Sequence, residues 1–196
     1  MKMYQDWDRG LILRRVKAVE VMKEYNASYD KMFDASHDTP YQQVIEERSD
    51  ILRRIFKHVG RGVHIEQTLR CEFGDQISIG DGVNVGCDCI MFDGGGITIG
   101  DQTYIGPRVA IYTSNHATDP DERLAGACWD LPVKIGERSW IGGGSIINAG
   151  SSIGSGTIIG SGSVVRGRIP SGVVASGVPC RVIRKITEAD KTGFTG

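Results

Sequence analysis

The sequence predicts a mostly β protein: a parallel β-helix of hexapeptide repeats with three sides per coil, an N-terminal helical segment and one external loop. Two observations carry this. Ile135, Ile141, Ile147, Ile153, Ile159 and Val165 recur every sixth residue, and all are β-branched and aliphatic. A helix repeats its faces at ~3.6 residues and a strand at two, so neither alone marks every sixth position. A coil of short strands turned at corners does, with the aliphatic residue pointing to the axis. The following residue is usually glycine (Gly136, Gly142, Gly154, Gly160), which lets the chain bend or approach its neighbour without a Cβ clash. The exceptions, Asn148 and Arg166, lie eighteen residues apart, which suggests three sides per coil.

Residues 1–60 form the expected helical segment, rich in charge and poor in glycine. Leu11, Leu13, Val16, Val19, Val21 and Met22 follow a mostly helical spacing. Residues 25–40 are polar, end in Pro40 and read as a turn or loop. A second helix is expected from Tyr41 to about His58, with Val44, Ile45, Ile51, Leu52, Ile55 and Phe56 on one stripe. The repeat domain spans 61–186, opening unevenly from Val63. Ile79, Val85 and Met91 are six apart, a shift of two falls at Asp93-Gly94-Gly95-Gly96, and Ile99, Ile105 and Ile111 resume the beat. Ile111 and Ile135 are twenty-four apart, four repeats, so residues 114–131 are an excursion that preserves the register. Long loops in compact repeats tend to be functional. Residues 180–186 are basic with an apolar face and are expected to lie back along the coil as a strand or helical turn, and 187–196 form a polar tail.

The formal net charge is -1, which gives no bulk basic field for nucleic acid or an anionic membrane. The 27 glycines fall at the fixed places of the repeat rather than in a low-complexity tract. There are five cysteines, Cys71, Cys87, Cys89, Cys128 and Cys180; no apolar run marks the first ten residues and none elsewhere is long enough to span a bilayer. A reduced, cytoplasmic protein is the expectation. Cys87-Asp88-Cys89 is not a usual zinc pair and reads as apolar filling on one strand face. His64 and His116 are too few for a histidine-ligated zinc hydrase on such a coil, so no metal is expected. No glycine run ends in Gly-Lys-Ser/Thr, which argues against a nucleotide triphosphate site.

Several stretches are similar to one family. They are Tyr25-Asn26, Arg70-Cys71-Glu72-Phe73-Gly74, Asp88-Cys89-Ile90-Met91-Phe92-Asp93, Tyr112-Thr113-Ser114-Asn115-His116, Trp140-Ile141-Gly142-Gly143 and Gly177-Val178-Pro179-Cys180-Arg181. Together they resemble the maltose/galactoside and nodulation-type sugar O-acetyltransferases of the hexapeptide-repeat superfamily, over nearly the whole chain. The resemblance implies a left-handed coil, acetyl-CoA as cosubstrate, a sugar or glycoside acceptor, and a homotrimer with active sites between subunits. Periodicity itself shows no hand.

Acetyl transfer to a hydroxyl needs a base on that hydroxyl and donors for the developing oxyanion. A neutral imidazole near cytosolic pH suits the first task. His116 stands at the root of the excursion, and the resemblance assigns it as the general base of a direct transfer. Relatives often carry a glutamate late in the loop to orient that histidine. Ala127 occupies the position here, and a backbone carbonyl is the expected substitute. The resemblance also points to Asp6, Asp8, Arg15, Glu72, Asn84, Asp93 and Asn115 for the acceptor, with Asp93 turned outward at the register shift. Gly86 stands where relatives commonly have asparagine. For coenzyme A, it points to Trp140, Gly143 and Ser161 along the pantetheine arm and Arg166, Arg181 and Arg184 for the phosphates, since arginine pairs with phosphate in bidentate fashion. The rival functions on the same coil are a xenobiotic (streptogramin-type) or serine acetyltransferase and a non-catalytic trimeric scaffold.

Overall fold

The computed structural model of the chain describes residues 4–5, 8–33 and 40–194. Its body is a three-sided parallel coil. One side has six strands, starting at His58–Val59 and ending at Arg168–Ile169. A second has five, from Arg70–Cys71 to Val164–Val165. The third has seven, from His64–Ile65 to Val173–Ser176, closed by Arg181–Lys185. All pairs within the coil are parallel except the last, where Arg181–Lys185 runs back against Val173–Ser176.

The every-sixth aliphatics all point inward: Ile135, Ile141, Ile147, Ile153, Ile159 and Val165 are each at most 2% exposed. Burying such a side chain contributes roughly 1.5–3 kcal/mol, so the ladder is the main source of cohesion. Small hydroxyls fill the inner corners, where an apolar side chain would leave carbonyls unmet. Thr103 donates to Gly136 O (2.9 Å), Ser139 to Gly154 O (3.0 Å) and Thr157 to Pro170 O (2.8 Å). The beat is not constant. His58 pairs with Ser78 and Ser78 with Thr98, a rise of twenty residues per turn, while Trp140 pairs with Ile158, a rise of eighteen. The two extra residues sit where the five-stranded side turns into the six-stranded side, at Phe73–Gln76 as well as at the expected Asp93–Gly96 corner.

The excursion leaves from that same corner. Ala110–Tyr112 ends on the five-stranded side, and Val133–Ile135 resumes on the six-stranded side, paired directly with Ile97–Ile99. The insertion therefore steps out and back without disturbing the stack.

The helical segment caps the N-terminal end of the coil. Helix α1 spans Arg9–Ala27, longer than expected, and a 3-10 helix, Ser28–Phe33, follows where a loop was expected. Its coil-facing stripe is Ala18, Val21, Met22 and Tyr25, while Leu13, Val16 and Val19 face outward. Helix α2 spans Tyr41–Arg53 and stops short of His58, because His58–Val59 is already a strand of the first coil. Val44, Ile45 and Leu52 are buried on α2, and Ile55 and Phe56 just beyond it. Arg48 is buried and locks the layers together, bonding Tyr25 O (3.2 Å), Ser28 Oγ (2.7 Å) and Ile65 O (2.9 Å). Its guanidinium lies 4.2 Å over the Tyr25 ring. Burial pushes the Tyr25 phenol up to about 12, so it stays a donor to Ile65 O (2.9 Å).

Cys89 is buried and faces inward as filling, but Cys87 is half-exposed: Asp88 between them has φ +59°, so the three form a turn rather than one strand face. Among the described residues no helix is long and apolar enough to cross a membrane.

Candidate active site

His116 ends one arm of a small antiparallel sheet built by the excursion. Ser114–His116 pairs with Ala127–Asp130, and Tyr4–Gln5 adds a third strand. Helix α3, Pro120–Leu124, lies between the arms, capped by Asp119, whose Oδ1 accepts from the amides of Asp121 and Glu122. Opposite positions are Ser114 and Asp130, Asn115 and Trp129, His116 and Cys128. Side chains alternate along a strand, so His116, Cys128, Ser114 and Asp130 share one face and Asn115 takes the other. His116 is exposed, and its imidazole makes no hydrogen bond to a described residue, so no carbonyl partner for it is found among the described residues. Asn115, though adjacent in sequence, does not point where His116 points.

Beside this sheet a cavity of about 550 Å³ opens between the start of α1 and the coil, lined by Tyr4, Asp8, Arg14, Phe73, Gly94 and Asp130. Of the acceptor candidates Asp8 lines it, Arg15, Glu72 and Asp93 adjoin lining residues in sequence, and all four are already engaged. Arg15 bonds Glu72 at 2.7 Å in a half-buried pair, and Arg14 bonds Asp75. Both guanidiniums lie over the Phe73 ring, Arg14 at 4.1 Å and Arg15 at 5.0 Å. Asp8 is the N-cap of α1 and accepts from Gly10 N (2.8 Å). Asp93 corrects the expectation of an outward side chain. It is fully buried, and its carboxylate accepts from Phe73 N (2.9 Å) and Gln76 N (3.2 Å), satisfying amides that the widened corner leaves unpaired. Burial raises its pKa against the pull of those amides. Asp6 lies outside the described residues.

Asn84, expected for the acceptor, stands instead on the seven-stranded side with the coenzyme candidate Trp140. Asn84, Tyr104 and Trp140 are register neighbours there, with Tyr104 59% and Trp140 55% exposed. Gly143 and Ser161 form the corner from that side to the five-stranded one, with Gly143 O accepting from Gly162 N. Arg181 lies exposed on the reversed strand. Arg184 is exposed on the same strand but is engaged within the chain: both of its terminal nitrogens bond Asp190, at 2.9 and 2.7 Å. Arg166 is exposed at the corner from which the excursion also departs. One chain thus brings Asp8, Arg15, Glu72 and Asp93 towards the His116 loop, and leaves Asn84, Trp140 and Arg181 on another side.

A maltose acetyltransferase hexapeptide capping motif matches residues 2–60, and a bacterial transferase hexapeptide (six repeats) matches 132–167. The galactoside O-acetyltransferase of Escherichia coli (strain K12) is 33% identical over 97% of this chain and 88% of its own length. The chain belongs to the maltose/galactoside and nodulation-type family of acetyl-CoA-dependent hexapeptide-repeat O-acetyltransferases. The maltose O-acetyltransferase structure from Clostridium difficile 630 is 40% identical, with a TM-score of 0.84 over 95% of this chain and 94% of that one. A galactoside acetyltransferase in complex with coenzyme A is 32% identical, with a TM-score of 0.85 over 100% and 92%. With these relatives the acetyltransferase shares the left-handed coil.

Four polar residues at the site escaped the sequence reading: Arg14, Tyr104, Tyr4 and Asp130. Tyr104 was legible in principle, because Tyr104-Ile105-Gly106 repeats the pattern of Trp140-Ile141-Gly142. Tyr4 and Asp130 of the acetyltransferase were not, since only the pairing of Tyr4 with Cys128 brings the N-terminus to the loop. Among the described residues no group of three or more His, Cys, Asp or Glu could hold a metal ion.

Proposed function

We propose that the chain transfers the acetyl group of acetyl-CoA to a hydroxyl of a sugar or glycoside, with His116 as general base and each site shared between two chains of a homotrimer. The supporting observation is topological. His116 hangs from the corner between the five- and six-stranded sides, whereas Asn84, Trp140 and Arg181 lie on the seven-stranded side. A coenzyme held along that side meets a histidine when a neighbouring chain supplies it.

His116 takes the proton from the acceptor hydroxyl as its oxygen attacks the thioester carbonyl. The tetrahedral intermediate collapses, the C–S bond breaks, and the imidazolium returns the proton to the departing thiolate. No acyl-enzyme is needed. Burial raises the thiols of Cys71 and Cys89, the latter to about 11, which keeps both protonated and poorly nucleophilic. All five cysteines are free, as suits a cytoplasmic protein.

The test is His116→Ala, assayed for acetyl transfer to a panel of sugars, serine and streptogramins. The kcat should fall by ~10²–10⁴, the usual worth of a positioned base, with acetyl-CoA affinity unchanged. A variant that keeps the wild-type kcat removes His116 from the mechanism, and turnover confined to serine or streptogramins overturns the sugar reading.

A further inference from the structure

The carboxylates around the cavity beside the loop are not equivalent. Glu72 and Asp75 face arginines, Asp93 faces backbone amides, and Asp8 caps α1. Asp130 is different. Its Oδ1 is enclosed by protein with no donor among the described residues, and it lines the cavity together with Tyr4. The hydroxyl of Ser114, at the opposite position of the hairpin, is likewise enclosed and unpartnered. No described arginine or lysine pairs with Asp130. A carboxylate accepts about four donors and gives none when ionised, and leaving one short of donors in an enclosed setting is costly. Asp130 also lines the cavity, which opens its side chain to a donor on a bound ligand.

The backbone is shaped to hold that carboxylate. A Cβ on Gly94 would lie 2.9 Å from both Asp130 oxygens, so the carboxylate rests directly on the corner of the coil. Asp130 and His116 stand on facing strands, two positions apart and on the same face.

We infer that the Asp130 carboxylate, seated against Gly94, accepts a hydrogen bond from a ring hydroxyl of the sugar acceptor and so determines which acceptor is acetylated. This rests on the sugar acetyltransferase reading above. The ligand it implies is a polyhydroxylated ring lying in the cavity, with one hydroxyl on Asp130 and the reacting hydroxyl directed towards the loop face that carries His116. Asp130 is a specificity residue and takes no proton in the reaction.

The experiment compares wild type with Asp130→Asn and Gly94→Ala, using the best sugar acceptor and its singly deoxygenated analogues. The first variant keeps the shape of the side chain and removes its charge; the second pushes a methyl against the carboxylate and keeps the charge. Wild type should lose about 10- to 100-fold in kcat/KM on the one analogue lacking the recognised hydroxyl, the worth of a hydrogen bond to a charged group. Both variants should lose about as much on the parent sugar and almost nothing further on that analogue. The KM for acetyl-CoA and the melting temperature of Asp130→Asn should stay near wild type. Full activity of Asp130→Asn on the parent sugar overturns the inference, as does undiminished discrimination in either variant. Absence of sugar acetylation by wild type overturns the reading it rests on instead.

Discussion

Arg181 and Arg184 sit three residues apart on the reversed strand, and the structure gives them different work. Arg184 holds Asp190, and its guanidinium lowers that carboxyl from 3.8 to about 2, helped by the amide of Thr187. Arg181 is left facing solvent. Arg181→Ala should therefore raise the KM for acetyl-CoA by roughly three- to tenfold, a charged contact discounted for exposure, with little change in KM for the sugar. Arg184→Ala should leave that KM nearly unmoved and loosen residues 186–190, seen as faster amide exchange at Thr187. Equal KM defects in the two variants would contradict the division. The pH dependence has a definite sign. Asp190 binds its proton less readily folded than unfolded, so its contribution is whole above about pH 4 and fades as the pH falls towards 2. In Arg184→Ala the Asp190 carboxyl should titrate nearer its ordinary value, as carbon-detected NMR of the side chain can follow. At this scale the sequence showed His116 because its loop interrupts a period. It misread Asp93 because the direction of a side chain at a corner depends on amides from the turn before, which lie twenty positions away in the chain.

The coil is an element whose glycines do two separate jobs. A Cβ on Gly142 would fall 2.5 Å from Ser161 N and 2.8 Å from Ile159 O, both backbone atoms of the next turn. Gly144 has open space around it but a φ of +69°. Gly142→Ala should cost about 1–3 kcal/mol from overpacking, and Gly144→Ala about 1 kcal/mol from the left-handed backbone. Urea titration of the two variants checks the order, and a smaller loss at Gly142 would mean that the turns can part. The helical cap rests on a different device. Arg48→Met removes one side chain that serves two carbonyls and a hydroxyl under the helices, and should cost about 2–4 kcal/mol, read as a lower melting temperature. A loss below 1 kcal/mol would show that water replaces the guanidinium. The hexapeptide strands were legible because their period is local. The Arg48 staple was not, because it joins α1, α2 and the first turn, which nothing in the local pattern brings together.

For the whole molecule, a single coil separates the proposed base from Trp140 and Arg181 of the proposed coenzyme residues, which ties activity to assembly. Sedimentation at assay concentration should give a trimer, and a monomer with full activity would end the shared-site reading. A sharper check mixes two impaired forms. Chains carrying His116→Ala and chains carrying Trp140→Ala with Arg181→Ala, refolded together, should form some sites with both wild-type contributions. Activity at low acetyl-CoA should then exceed the sum of the separate preparations. The fold class was readable because one repeat recurs, while the meeting of two chains leaves no period in either. The reversal at residues 181–185 has a further consequence. A parallel stack offers, at each open end, the same unpaired amides and carbonyls that one turn offers the next, and such an edge recruits other chains. Here two helices shut one end, and a strand of opposite direction shuts part of the other. The chain thus carries its own length limit, and the motif that begins it is a stopper against fibre growth: a variant starting at residue 54 should join end to end and scatter light where the full chain stays clear.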